Sequence, residues 1–187
     1  DMSMPEYTEK HDVLHQDLAF PYRFLEPANA SGECLFLLHG SGVDETTMLP
    51  IARQIAPDAT LVAVRGRIPQ EDGFRWFERI NPTRFEQASI RTETSTFAAF
   101  ASEAARRHRL DLARATFLGY SNGANLVSSL MLLNPGLVRK AALLRAMPVL
   151  DNIPSTDVRG TRVLIIAGAA DETYGPFAPA LVTLLTK

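Results

Sequence analysis

Cysteine is almost missing from this sequence. Cys34 stands alone among 187 residues, which excludes an internal disulfide framework and suits a reducing, cytoplasmic compartment. It lies inside an apolar run and reads as a buried structural thiol rather than a nucleophile. No apolar stretch is long enough to span a bilayer, and no basic-then-apolar leader opens the sequence. An excess of one charge is also lacking: 19 Lys+Arg stand against 21 Asp+Glu, a formal net charge of −2. No basic block marks a nucleic-acid surface. The short cluster Arg106-Arg107-His108-Arg109 falls at a helix end, where cations suit the negative end of the dipole. Histidine is scarce, with only His11, His15, His39 and His108. His11 and His15 are spaced for one helical face, but the zinc-protease pattern needs Glu where Asp12 stands. They read as polar residues of a surface segment, and neither a metal nor a cofactor is expected. No repeat, low-complexity tract or linker divides the sequence, whose length suits one domain over 1–187.

What is present is an alternation of short apolar runs with helical stretches. Cys34 to Leu38, Thr60 to Val64, Ala115 to Leu118, Lys140 to Leu144 and Thr161 to Ala167 are strand candidates, the last the clearest buried run. Leu18 to Leu25 reads as an edge strand, because Pro21 cannot donate to a ladder. Helices are expected over Thr46 to Ala56 (capped by Asp44), Ser89 to Arg107, Ala124 to Leu133 and Phe177 to Lys187. The stretches Arg65 to Pro82 and Arg145 to Asp157 read as loops. Strands alternating with helices mean an α/β fold: a mostly parallel sheet with helices on both faces. In such sheets ligands bind beyond the carboxyl ends of the strands. His39, Ser121 and Asp171 all follow strand ends, so they can share one side.

The most informative stretch is Leu118-Gly119-Tyr120-Ser121-Asn122-Gly123-Ala124. It fits G-x-S-x-G between a strand and a helix, the setting in which a serine hydroxyl is thrust above the sheet. Two glycines without Cβ permit the close approach such a turn demands. Ser121 is then a candidate nucleophile, and the N–H of Asn122, at the start of the helix, a candidate oxyanion donor. The run His39-Gly40-Ser41-Gly42 could cradle a phosphate, but it lacks the Lys-Ser/Thr ending of a P-loop. Glu71 and Asp72 beside Gly73 read as a solvated turn. Phe74, Trp76 and Phe77 are either core or the lining of an apolar pocket.

Together these motifs resemble the phospholipase/carboxylesterase family of α/β-hydrolases, which includes the acyl-protein thioesterases. Leu37-Leu38-His39-Gly40-Ser41-Gly42 resembles its oxyanion loop. Gly66, Glu71-Asp72-Gly73 and Arg75-Trp76-Phe77 resemble its substrate-side loop. Leu110-Asp111 and the Ser121 turn resemble its elbow, and Val163 to Gly168 with Asp171 and Pro176 its acid-bearing strand end. The resemblance spans nearly everything from about residue 33 onward. It implies an α/β-hydrolase fold and a serine carboxylesterase or thioesterase that acts on small or medium acyl esters and needs no cofactor. Ser121 would be the nucleophile and Asp171 the acid. The N–H groups of Ser41 and Asn122 would form the oxyanion hole. His39, Gly40, Trp76, Phe77 and Met147 would lie about the substrate pocket, with His39 holding its loop in shape. Related hydrolases are often dimers.

One part of the pattern is missing. The order should be Ser, acid, His, yet no histidine follows Asp171. A C-terminally incomplete domain, a non-catalytic relative that binds an apolar ligand, and substitution by His39 or His108 all answer to this, with incompleteness favoured. Glu172, Asp151 and Asp157 are rivals to Asp171. The dienelactone-hydrolase branch carries Cys where Ser121 stands.

Overall fold

The computed structural model describes residues 13–157 and 159–166. In order, the elements are β1 (Tyr22–Leu25), β2 (Cys34–Leu38), α1 (Leu49–Ile55), β3 (Thr60–Val64), β4 (Ile68–Gln70), β5 (Gly73–Arg75), β6 (Arg79–Asn81), β7 (Arg84–Phe85), α2 (Gln87–His108), β8 (Ala115–Tyr120), α3 (Asn122–Leu133), β9 (Lys140–Leu144) and β10 (Arg162–Ile166). Among the described residues, six strands form one sheet in the order β1-β3-β2-β8-β9-β10. All pairings are parallel except that of β1, which runs antiparallel along β3. This is the α/β architecture expected, with Pro21 next to the edge strand β1.

The strands follow from their composition. β2 and β3 are buried at every position, as required where helices cover both faces of a parallel sheet. Phe36, Leu38, Val62 and Phe117 point to the α2–α3 layer. Leu35, Leu37, Leu61, Ala63 and Leu118 point to the α1 layer. Helix α2 is capped at its start by the Glu86 carboxylate and ends at Arg109, whose φ of 56° and ψ of 45° are left-handed. Its last turn carries Arg106, Arg107 and His108, in keeping with the dipole.

Three expectations are corrected. Helix α1 begins at Leu49 rather than Thr46, because Pro50 belongs in a first turn; a helix already under way would set its ring against a carbonyl one turn back. Asp44 instead closes a turn, accepting the Thr46 N–H at 2.8 Å. The segment 65–82, expected as loop, contains the short antiparallel hairpin β4–β5 and the strand β6, which pairs with β7 just beyond it. And β10 is not the most buried strand: Val163 is 37% and Ile165 66% exposed, since it is the sheet's outer strand among the described residues. The helix expected over Phe177 to Lys187 lies outside the described residues. No described helix is long and apolar enough to cross a membrane.

Candidate active site

At the carboxyl end of β8 the backbone turns sharply into α3. Ser121 sits in the turn with φ 52° and ψ −111°, a region normally left to glycine and costing about 1–3 kcal/mol where a side chain is present. The neighbours hold it there. The Ser121 N–H donates to Leu144 O at 2.7 Å, and Ser121 O accepts from the Asn125 N–H at 3.0 Å. A Cβ on Gly119 would come within 2.7–2.8 Å of Ala124 and Gly123 backbone atoms, and one on Gly123 would stand 2.0 Å from Leu38 O. One glycine therefore lets the turn close on itself, and the other lets it seat against the end of β2. As the first residue of α3, Asn122 has an N–H outside the helical ladder.

The loop after β2 faces the turn. The His39 ring is buried; Nδ1–H donates to Gly40 O at 2.6 Å and Nε2 accepts the Gly66 N–H at 3.0 Å. Burial holds its pKa below the ordinary imidazole value. With both nitrogens bound to backbone, His39 is a neutral strut. The Trp76 indole N–H donates to His39 O at 2.8 Å, and the Trp76 backbone N–H donates to Asn122 Oδ1 at 2.7 Å. Two further bonds sew the β4–β5 hairpin to the loop, Gly42 N–H to Phe74 O and Phe74 N–H to Val43 O, both 2.9 Å. Among the described residues, no backbone carbonyl accepts the Ser41 N–H. Gly40, Ser41, Val43, Thr47, Met48, Tyr120, Ser121 and Arg145 line one cleft of about 330 Å³. The serine thus shares a cleft with the Ser41 loop.

These placements revise the pocket expected from sequence. Trp76 and Phe77 are fully buried. Trp76 packs on Phe20 and Phe97, with ring centroids 5.8 and 5.7 Å away, and Phe77 meets Phe85 at 5.5 Å. They are core beneath the site, because the hairpin folds them inward toward α2. His39 likewise supports the cleft rather than lining it, while Gly40 does line it. Met147 is 42% exposed and borders a separate apolar cavity of about 290 Å³ with Leu132, Leu143, Pro148 and Ile165.

Of the other candidates, His108 is tied to the far edge of the sheet. Its ring stacks on Phe24 at 4.0 Å and its Nε2 meets Tyr22 OH at 2.7 Å. His15 stacks on Tyr22 at 4.8 Å. Asp151 and Asp157 are exposed, and neither lines the Ser121 cleft. Asp171, its rival Glu172 and His11 lie outside the described residues. Burial pushes the Cys34 thiol up to about 12, so it is inert. No group of three or more metal-ligating side chains occurs among the described residues.

Two buried carboxylates among the described residues are ion-paired. The Glu45 carboxylate is buried and accepts from Arg23 Nε at 2.8 Å and Arg65 Nε at 2.5 Å. Burial pushes its pKa up, but these bonds outweigh burial and hold it below the ordinary value. Arg67 grips Glu93 through two nitrogens at 2.9 and 2.7 Å.

Sequence reasoning missed the side-chain roles of Asn122 and Asn125. Asn125 Oδ1 accepts the Met147 N–H at 2.8 Å. The signal was available: two amides in the first turn of an otherwise apolar, buried helix need partners, and the flanking loops are where partners can be found.

No protein-family model matches this sequence. It is 35% identical over 141 residues to MhqD of Bacillus subtilis (strain 168), whose name calls it a hydrolase, covering 75% of this chain and 70% of that protein. The crystal structure of a carboxylesterase from Mesorhizobium loti is 76% identical, with a TM-score of 0.83, over 93% of this chain and 83% of that one. A Bacillus cereus carboxylesterase is 26% identical, with a TM-score of 0.77, over 89% of this chain and 81% of its own. A strained serine at a strand-to-helix turn, a glycine loop facing it and these relatives converge: this chain belongs to the carboxylesterases of the α/β-hydrolase fold.

Proposed function

We propose that the protein hydrolyses carboxylic esters or thioesters of small to medium acyl groups through an acyl-enzyme on Ser121. The observation that carries this reading is the Ser121 conformation, held by the Leu144 carbonyl, the Asn125 backbone N–H and the seating of Gly123 on β2. Backbone strain of this kind survives only where surrounding structure over-determines it. Here it presents a hydroxyl in a cleft shared with the Ser41 loop.

In the reaction, Ser121 Oγ bonds to the acyl carbon while its proton passes to a base. The carbonyl oxygen becomes an oxyanion facing the N–H groups of Ser41 and Asn122. Collapse breaks the bond to the alkoxide or thiolate, which leaves with the proton; water then repeats the sequence and frees the acid. Loss of one oxyanion donor costs about 3 kcal/mol of transition-state stabilisation. Asp171, beyond β10, is the residue we assign to orient the base. None of the three described histidines suits that base: His39 has both nitrogens occupied, and His15 and His108 lie at the β1 edge. The reading therefore requires a base from outside residues 13–166. A short acyl group is assigned to the Ser121 cleft, beside which the segment carrying Met147 borders the apolar cavity that Leu143 also lines. Ser129 on its wall lies two turns along α3 from the nucleophile.

The test is intact-mass labelling of the full-length protein with a fluorophosphonate, beside hydrolysis of p-nitrophenyl esters. A single adduct is expected in the wild type and none in Ser121→Ala, with ester turnover lowered at least about 10³-fold. A folded wild-type protein that takes up no phosphonate would defeat the reading.

A further inference from the structure

The segment after β9 has an unusual set of attachments. At its start, Leu144 O accepts the Ser121 N–H at 2.7 Å. Arg145 follows with φ 58°, and its N–H donates to Ile166 O at 2.8 Å. Two residues on, the Met147 N–H is taken by Asn125 Oδ1 at 2.8 Å. Farther along, Gln87 accepts the Asp151 N–H at 3.0 Å through Oε1 and donates Nε2 to Val149 O at 2.9 Å. This irregular segment is thus tied down by backbone groups and neutral amides. It also separates two spaces. Arg145 lines the Ser121 cleft, whereas Ala146, Met147 and Pro148 line the apolar cavity. The Met147 N–H is the last available before Pro148, which has none, so Asn125 holds the partition where it can still be held.

Asn125 is only 3% exposed, on a helix whose other buried residues include Leu126, Val127 and Leu130. A buried amide among apolar side chains is unfavourable unless bonded, and its Oδ1 spends a bond on this one loop. Its own N–H bonds to Ser121 O at 3.0 Å, so one residue references the partition to the nucleophile.

We propose that Asn125 is a positioning residue for substrate selection: by fixing Met147 it sets the wall between the nucleophile's cleft and the apolar cavity, and with it the length of acyl chain accepted. The proposal rests on Ser121 being the nucleophile. Removing the acceptor frees the wall and admits longer chains. The effect belongs in KM across the acyl series, because Asn125 does not touch the reacting atoms.

The experiment measures kcat and KM of the full-length protein on p-nitrophenyl acetate, butyrate, octanoate and decanoate, with fluorophosphonate labelling of Ser121 alongside. In Asn125→Leu, octanoate-over-acetate selectivity should rise at least about fivefold, carried by KM, while labelling by a small phosphonate is kept. Asn125→Asp, which retains the acceptor, should restore the wild-type profile. A second pair keeps α3 intact. Met147→Ala and Met147→Pro both remove the thioether, but only the latter removes the N–H, so only Met147→Pro should add the shift to long chains. An unchanged profile in a labelled Asn125→Leu protein, or a uniform loss across all chain lengths, would overturn the proposal, as would identical profiles for the Met147 pair should Asn125→Leu not fold. Absence of labelling in the wild type would remove the nucleophile reading and this proposal with it.

Discussion

Two flanks meet at the Ser121 turn, and both hang on an asparagine of α3. On one side Asn122 accepts the Trp76 N–H; on the other Asn125 accepts the Met147 N–H. The local device is shared, but the surroundings differ. The Trp76 flank is cemented: Trp76 and Phe77 have no exposed surface, His39 is bound at both nitrogens, and Glu45 and Glu93 carry buried ion pairs. The Met147 flank is half open, with Met147 42% and Ile153 63% exposed beside an apolar cavity. The same hydrogen bond therefore serves two ends. Where a loop aims N–H groups at a developing charge, tolerance for movement is small. Where it receives an apolar chain, room to vary is an asset.

The largest effect is expected at Trp76. Trp76→Ala removes the largest fully buried side chain and should destabilise the protein by about 3–5 kcal/mol, read as a lower midpoint in urea unfolding. A loss below 1 kcal/mol would show that this flank is not cemented. Next comes the seat shared by both flanks. Gly123→Ala puts a Cβ against Leu38 O, a backbone atom that cannot turn aside. It should cost about 1–3 kcal/mol and abolish phosphonate labelling; an active Gly123→Ala protein would refute the seating of the turn on β2.

A pH titration sharpens the contrast, because among the described residues the buried His39 and Glu45 belong to the Trp76 flank. Burial keeps His39 neutral in the fold and lowers its pKa from an ordinary value near 6.5. A depressed histidine favours the fold above its unfolded pKa, and that advantage drains away as pH falls below about 6.5. Trp76 is the single tryptophan, and its ring lies 5.1 Å from the His39 ring. Its emission should change below pH 6.5, before global unfolding. Glu45, held below its ordinary value by Arg65 and Arg23 against the cost of burial, should add a second loss at lower pH, absent in Glu45→Gln. Emission constant down to the unfolding transition would argue against a protonation step at His39. The smallest effect belongs to the open flank. Met147→Ala should shift stability by no more than about 0.5 kcal/mol, seen as an unchanged urea midpoint, and, keeping the N–H that Asn125 binds, should not shift selectivity toward long chains.

Much of this was legible in the sequence wherever burial was complete. Residues 34–38, 60–64 and 140–144 read as strands with the bounds they have, because a parallel strand covered on both faces is simply an apolar run. Gly119 and Gly123 revealed the turn because only glycine fits it. The same logic misread the run from Thr161 to Ala167 as the clearest buried strand: an apolar run does not say how many of its faces are covered. Strands of two or three residues, such as β6 and β7, are too short for periodicity to register. Trp76 and Phe77 were ambiguous for another reason. Whether a hairpin turns its aromatics toward a cleft or a core depends on the docking of the whole hairpin, here fixed by contacts to Gly42 and Val43 far away in sequence.

That remoteness governs when the serine becomes reactive. The pentapeptide cannot hold its own conformation; it leans on Leu38 from β2 and Leu144 from β9, and β2 must first pair with β8, its Cys34 opposite Ala115. Parallel pairings between distant segments form slowly, because loop closure must precede the contacts that reward it. The hydroxyl is therefore armed only when the sheet has assembled around it. During synthesis a partly emerged chain carries an ordinary serine, and in a refolding reaction the onset of phosphonate capture keeps time for the last step of folding rather than the first.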